Sequence, residues 1–234
     1  MLQRYVWKLL PKSQRTLLLG RLSVVDRHAV NKSMSADVRF PEAFTKHSCL
    51  YIHVPKCAGS SVCAALFGGW SPGHLPLYWY EQQFPHAFAS SFKFAFVRDP
   101  LARAYSAYTF LRSNRLNPRD QPAQVLVNQY RDFDDFVARW LRPDTIRKQI
   151  HFAPQSDFLT DSLGHMSLDF IGYQEHLPRD FELVCEHLGI HPRLPLLNAS
   201  CQPAKGSVRD LCSVRTRRLV RRVYERDYEM LGYE

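Results

Sequence analysis

The sequence predicts a single α/β domain on three observations. Short apolar runs at Cys49 to Val54 and Phe92 to Val97 have the length and continuity of buried strands. Each leads within a few residues into a segment of helical periodicity. Nothing resembling a linker, an internal repeat or a low-complexity stretch divides the chain. Its 234 residues, 45% hydrophobic and 23% charged, are enough to bury a core, which excludes disorder and a mini-protein scaffold.

In the first 40 residues, Tyr5, Val6, Trp7, Leu9, Leu10 and Leu17 to Leu19 alternate with Lys and Arg. This is the pattern of an amphipathic helix that lies on its own domain, on a second copy or on a membrane surface. Lys8, Lys12 and Arg15 interrupt any leader-like apolar stretch and no small-residue cleavage site follows, so no secretory leader is expected. No apolar run reaches the roughly 18 residues of a membrane span, and a cytoplasmic location is the expectation. Residues 1–48 are read as a basic, partly helical segment and 49–234 as the domain proper.

The first strand passes through PKCAGS into SSVCAALFG, where Val62, Ala65 and Leu66 share a helical face that Gly68 closes. The stretch WSPGHLPLYWYEQQFPHAF then reads as a loop and short helix lining a cleft. The second strand ends in Arg98-Asp99-Pro100, and the next helix carries Pro100 in its first turn with Leu101, Tyr105 and Tyr108 on one stripe. Phe133, Phe136, Val137, Trp140 and Leu141 predict an amphipathic helix, and HFAPQSDFL an irregular segment covering a site. A late strand is expected at Leu168 to Gly172 and a helix from Pro178 to Gly189. A final helix from Val214 turns Leu219, Val220, Val223, Tyr224, Tyr228 and Leu231 inward.

The net charge of +9 is concentrated at the ends: residues 1–48 hold nine Lys and Arg against three acids, residues 203–234 eight against five, and the middle is balanced. Such a surface favours anionic partners without choosing among nucleotides, sulfated sugars, nucleic acid and lipid headgroups. The six cysteines include no CxxC pair and none has a histidine at zinc-ligand spacing. Cys63 and Cys185 fall on apolar helix faces, as free thiols in a reducing compartment do.

The first turn, HVPKCAGSSV, sets a lysine, a glycine for close backbone approach and two hydroxyls at a helix N-terminus, which makes an anion cradle. It is not the GxxxxGK[ST] loop, because Lys56 precedes the glycine. The second turn, FVRDPLARAYSAY, offers Arg98 at a strand end and Ser106 about two helical turns on. Two adjacent anion turns imply a nucleotide charged at two separated positions.

YIHVPKCAGSSV and FKFAFVRDPLARAYSAY resemble the 5′-phosphosulfate loop and the 3′-phosphate motif of the sulfotransferases that use 3′-phosphoadenosine 5′-phosphosulfate (PAPS), above all their carbohydrate-type branch and its compact bacterial relatives. HFAPQSDF, DFIGYQEHLPRDF, LPLLNAS and YERDYEMLGY extend the resemblance over most of the chain from residue 49. It implies a P-loop-like parallel sheet flanked by helices, PAPS as donor, sulfuryl transfer to a hydroxyl or amine of a carbohydrate-like acceptor, and no metal. By position, Lys56, Cys57, Ala58, Gly59, Ser60 and Ser61 would hold the 5′-phosphosulfate, and Arg98 and Ser106 the 3′-phosphate. Lys205 and Gly206 would close over the nucleotide, although CQPAKGSVRDLC stands where many relatives have a tyrosine-rich stretch. Lys56 would also neutralise the leaving oxygen. The acceptor's base is expected at His74, with His151 as rival and Glu81, Glu175 and His53 behind them.

Two other readings stand beside this one. A small-molecule kinase with a variant phosphate loop would need ATP and Mg²⁺. A noncatalytic polyanion-binding module would use the basic ends. Nucleic acid is not the expected partner.

Overall fold

The computed structural model describes residues 7, 9–34, 38–113, 116–195, 197 and 207–234. From residue 12 on, the described elements are α1 (Lys12–Gly20), α2 (Val24–Ser33) and α3 (Glu42–Lys46), followed by β1 (Cys49–Ile52), α4 (Gly59–Phe67), α5 (Leu77–Gln83), α6 (Pro85–Ser90) and β2 (Phe92–Val97). The next crossover holds α7 (Pro100–Leu111), α8 (Gln121–Val127), α9 (Phe133–Arg139), α10 (Pro143–Ile146) and α11 (Ser156–Leu159) and ends in β3 (Phe170–Tyr173). Then come α12 (Leu177–Leu188), α13 (Val208–Leu211), α14 (Val214–Val223) and α15 (Glu225–Leu231).

The three strands form one parallel sheet in the order β1-β2-β3, with Cys49 opposite Phe92 and Phe94 opposite Phe170. Parallel neighbours require crossovers, and the helices that make them cover the sheet; hence β1 is apolar and buried at all four positions. One core surrounds the sheet and takes in Val25, Phe44, Val62, Leu66 and Phe181. A second lies among α7, α9, α14 and α15 and is built on Tyr108, Phe136, Phe152, Val220 and Tyr224.

The predicted boundaries hold where local chemistry sets them. Gly68 ends α4 at a φ of 59°, and Asp99 caps α7 by accepting the Ala102 N–H at 2.8 Å, with Pro100 in the first turn. Tertiary contacts produce three differences. The 70–88 stretch forms two short helices, and Leu77, Trp79 and Tyr80 of α5 enter the core instead of lining a cleft. Segment 151–160 is almost wholly buried between the two cores and ends in α11, so it is interior and not a cover. The final helix divides at Tyr224, whose hydroxyl donates to the Phe152 carbonyl at 2.7 Å.

Of the N-terminal helices, α1 has no buried residue, whereas α2 buries Val25 and Ala29. The α2 helix is tied down by Tyr78 Oη donating to Asp26 at 2.7 Å and Trp79 Nε1 donating to Ser33 at 2.8 Å. Among the described residues no helix is long and apolar enough to cross a membrane.

Candidate active site at two strand-to-helix turns

Residues 53–61 leave the C-terminal end of β1, the edge at which open parallel sheets bind ligands. Lys56 and Ala58 adopt left-handed φ values of 69° and 62°, a conformation that costs a non-glycine residue about 1–3 kcal/mol. The loop is held there from behind. Arg103 Nε donates to the Pro55 carbonyl at 2.9 Å, and the Cys57 thiol donates to Gln155 Oε1 at 3.2 Å. Burial pushes that thiol up to about 12, so it stays an S–H donor.

Ala58 provides no side-chain cap for α4, so the first-turn amides and the positive end of the helix dipole face the loop. Gly59 is buried there, Ser60 is exposed, and the Ser61 hydroxyl accepts the Leu197 N–H at 3.1 Å. Lys56 Nζ lies 3.7 Å from the centroid of the Phe110 ring on α7, a cation–π contact.

Two histidines pack around this loop: the His74 ring lies 4.5 Å from that of His53, and the His151 ring 5.7 Å from that of Phe110. Burial first, then nearby positive groups, bring His74 down to about 4 and His151 to about 3. His74 Nδ1 donates to the His53 carbonyl at 2.8 Å, which fixes the proton on Nδ1 and leaves Nε2 as an acceptor. His151 Nε2 lies 3.6 Å from Asp120 Oδ1, and its buried Nδ1 has no partner among the described residues.

The second turn leaves β2 beside the first. Arg98 is 8% exposed, and its buried Nε has no partner among the described residues. Ser106 is buried on α7. Gln155, fully buried, accepts the Arg98 N–H through Oε1 at 3.0 Å and donates from Nε2 to the Arg98 carbonyl at 2.8 Å. Beneath it the buried Asp227 carboxylate accepts the N–H groups of Gln155 and Ser156 at 2.7 and 2.9 Å. Arg103, 1% exposed, reaches from the Pro55 carbonyl to that of Ala153 at 2.8 Å.

Lys56 to Ser61 therefore stand on one turn and Arg98 on its neighbour, while His74 packs on His53, which lies against Gly59, and His151 packs on Phe110, the ring under Lys56. Lys205 and Gly206 lie outside the described residues. Glu81 is occupied with the N–H and hydroxyl of Ser162 at 2.9 and 2.7 Å, and Glu175 with the Asp99 N–H and the Tyr233 hydroxyl at 2.8 and 2.9 Å. His53 packs against Gly59 and holds the loop from inside. Among the described residues, no three His, Cys, Asp or Glu side chains gather as a metal site would require.

Sequence comparison bears on this geometry: residues 76–234, more than half of the chain, match the sulfotransferase family. The chain belongs to that family. The match takes in Arg98, Arg103, Ser106, His151, Gln155 and Asp227, and begins beyond the Lys56–Ser61 turn and His74. No curated protein and no solved structure matched. A sulfotransferase moves a sulfuryl group, and the α/β architecture with its central parallel sheet is consistent with that membership.

The sequence reading passed over Arg103, Asp120, Gln155 and Asp227. For two of them a signal exists in helical phase. Arg103 falls among Leu101, Ala104, Ala107 and Tyr108 on the buried side of α7, and Asp227 lies on the inward face with Tyr224, Tyr228 and Leu231.

Proposed function

We propose that the chain transfers the sulfuryl group of PAPS to a hydroxyl or amine of a carbohydrate-like acceptor by in-line displacement. The observation that carries this reading is the pairing of two cationic turns on adjacent parallel strands. One has Lys56 at a helix start without a side-chain cap, and the other has the buried Nε of Arg98, which has no partner among the described residues. A buried guanidinium nitrogen without an acceptor is costly, and a bound phosphate oxygen would remove that cost. The donor fits these residues: Lys56, the first-turn amides of α4 and Ser60 and Ser61 would hold its 5′ end, and Arg98 and Ser106 its 3′-phosphate. We assign Lys205 and Gly206 to the segment that closes over it.

When bound, PAPS supplies an activated sulfuryl group on a phosphate leaving group. Lys56 offsets the negative charge that grows on the departing oxygen. His74, neutral at pH 7 and held by the His53 carbonyl, takes the acceptor proton at Nε2. His151, turned toward Asp120, is the rival for that role. The five described cysteines are buried free thiols, which suits a reducing, cytoplasmic location.

Calorimetric titration with adenosine 3′,5′-bisphosphate, with ATP and Mg²⁺, and with a Lys56→Ala control tests the reading. Metal-independent binding of the bisphosphate, lost in the variant, supports it. Selective binding of ATP and Mg²⁺ moves the assignment to a kinase. No nucleotide binding by the folded protein moves it to a polyanion-binding module, whose affinity falls steeply with salt.

A further inference from the structure

Gln155 touches both turns and reaches neither through solvent. Its carboxamide exchanges two hydrogen bonds with the main chain of residue 98, as a neighbouring strand residue would, so a side chain continues the β2 ladder one residue past Val97. The second lone pair of Oε1 accepts the thiol of Cys57, in the middle of the strained loop. Asp227 holds the backbone of Gln155 from below. One buried carboxamide thus joins the loop proposed for the 5′ end of the nucleotide to the turn that carries Arg98, across 98 residues of sequence on one side and 57 on the other.

The residue type follows from the hydrogen bonds. The bridge needs an acceptor for two donors and a donor for one carbonyl in a single planar group. Glutamate would set a carboxylate oxygen against the Arg98 carbonyl, and asparagine is one methylene too short.

Resting on the nucleotide reading above, we infer that Gln155 is a positioning residue that fixes the separation of the two anion turns, so that the protein selects a nucleotide with phosphates on both its 3′ and 5′ positions. Such a residue contributes little to either phosphate alone. Its contribution appears only when one ligand must satisfy both turns at once, because the second contact is then made without further ordering of the protein.

The test is calorimetric titration of the full chain with adenosine 3′,5′-bisphosphate, adenosine 5′-monophosphate and adenosine 3′-monophosphate. Wild type, Gln155→Ala, Cys57→Ala and Cys57→Ser are compared, with folding checked by a cooperative thermal transition. The expected result is a loss of at least about tenfold in bisphosphate affinity for Gln155→Ala, with each monophosphate changed less than about twofold, and for Cys57→Ala a larger loss for the bisphosphate than for either monophosphate. Cys57→Ser, which keeps a donor toward Oε1, recovers part of the loss. If Gln155→Ala does not fold, the two Cys57 variants carry the comparison, since both keep the Gln155–Arg98 bonds. Equal weakening of all three ligands, or no change in any, overturns the inference and leaves the nucleotide reading in place. Failure of wild type to bind the bisphosphate removes the nucleotide reading, and this inference with it.

Discussion

The ring of His53 occupies the space that any side chain at residue 59 would need: a Cβ built on Gly59 would lie 1.8 Å from His53 Nε2. The ring has nowhere to go, because it stacks on Tyr51, meets the His74 ring at a tilt, with centroids 5.7 and 4.5 Å away, and bonds Ser71 through Nδ1 at 3.2 Å. Gly59→Ala is therefore expected to destabilise the fold by more than about 2 kcal/mol and to weaken nucleotide binding. His53→Ala opens the space, so the double variant should be more stable than the sum of the single changes indicates. A double-mutant cycle in urea measures that coupling, and strict additivity would refute the contact.

Stability should fall with acid in a defined window. Burial, first among the causes, leaves His53 at about 3, His74 at about 4 and His151 at about 3, all below the unfolded value of 6.5. Between about pH 6.5 and pH 4 the unfolded chain binds protons that the folded chain refuses, so unfolding free energy drops as pH falls, by up to about 1.4 kcal/mol per pH unit for each such histidine. Urea titrations at pH 7, 6 and 5 read the slope, and His74→Ala should flatten it. If His74 is the base, the acid limb of kcat/KM lies below pH 5.

Asp227→Asn replaces an acceptor of two buried N–H groups by an amide that turns one donor toward a donor, and it removes a negative charge that interacts with the buried Arg103. A loss of about 2–4 kcal/mol is expected in chemical denaturation. A change within about 0.5 kcal/mol would show that the carboxylate does not hold the 155–156 backbone.

Arg98→Lys keeps the charge and gives up the planar fork. Affinity for adenosine 3′,5′-bisphosphate should fall by about ten- to a hundredfold while that for adenosine 5′-monophosphate stays within about twofold. Equal losses for both ligands would place Arg98 away from the 3′ end.

Much of this architecture is legible locally. The strand at Phe92–Val97, the Pro100 helix start and the Gly68 stop are each determined by residues within a few positions, and the structure has them where periodicity predicts. The two turns could be located because Lys, Gly, Ser and Arg follow directly on apolar strand runs. What escaped was the support behind them. Gln155 meets residues 57 and 98 positions away, and Asp227 lies 72 positions from the backbone it holds, separations over which no periodicity carries information. A glutamine in HFAPQSDF has the composition of a surface loop; only the convergence of both cores around it makes it interior.

The five described cysteines offer a way to watch this molecule open. Each occupies a different layer: Cys49 in β1, Cys57 in the loop, Cys63 on α4, Cys185 on α12 and Cys212 ahead of α14. All are shielded, and burial raises each thiol to about 11 or 12, so a thiol reagent modifies one only when its own layer parts from its neighbours. Alkylation mapped by peptide mass thus gives an opening rate for each layer, with Cys57 serving as a built-in clock for the loop proposed to hold the nucleotide.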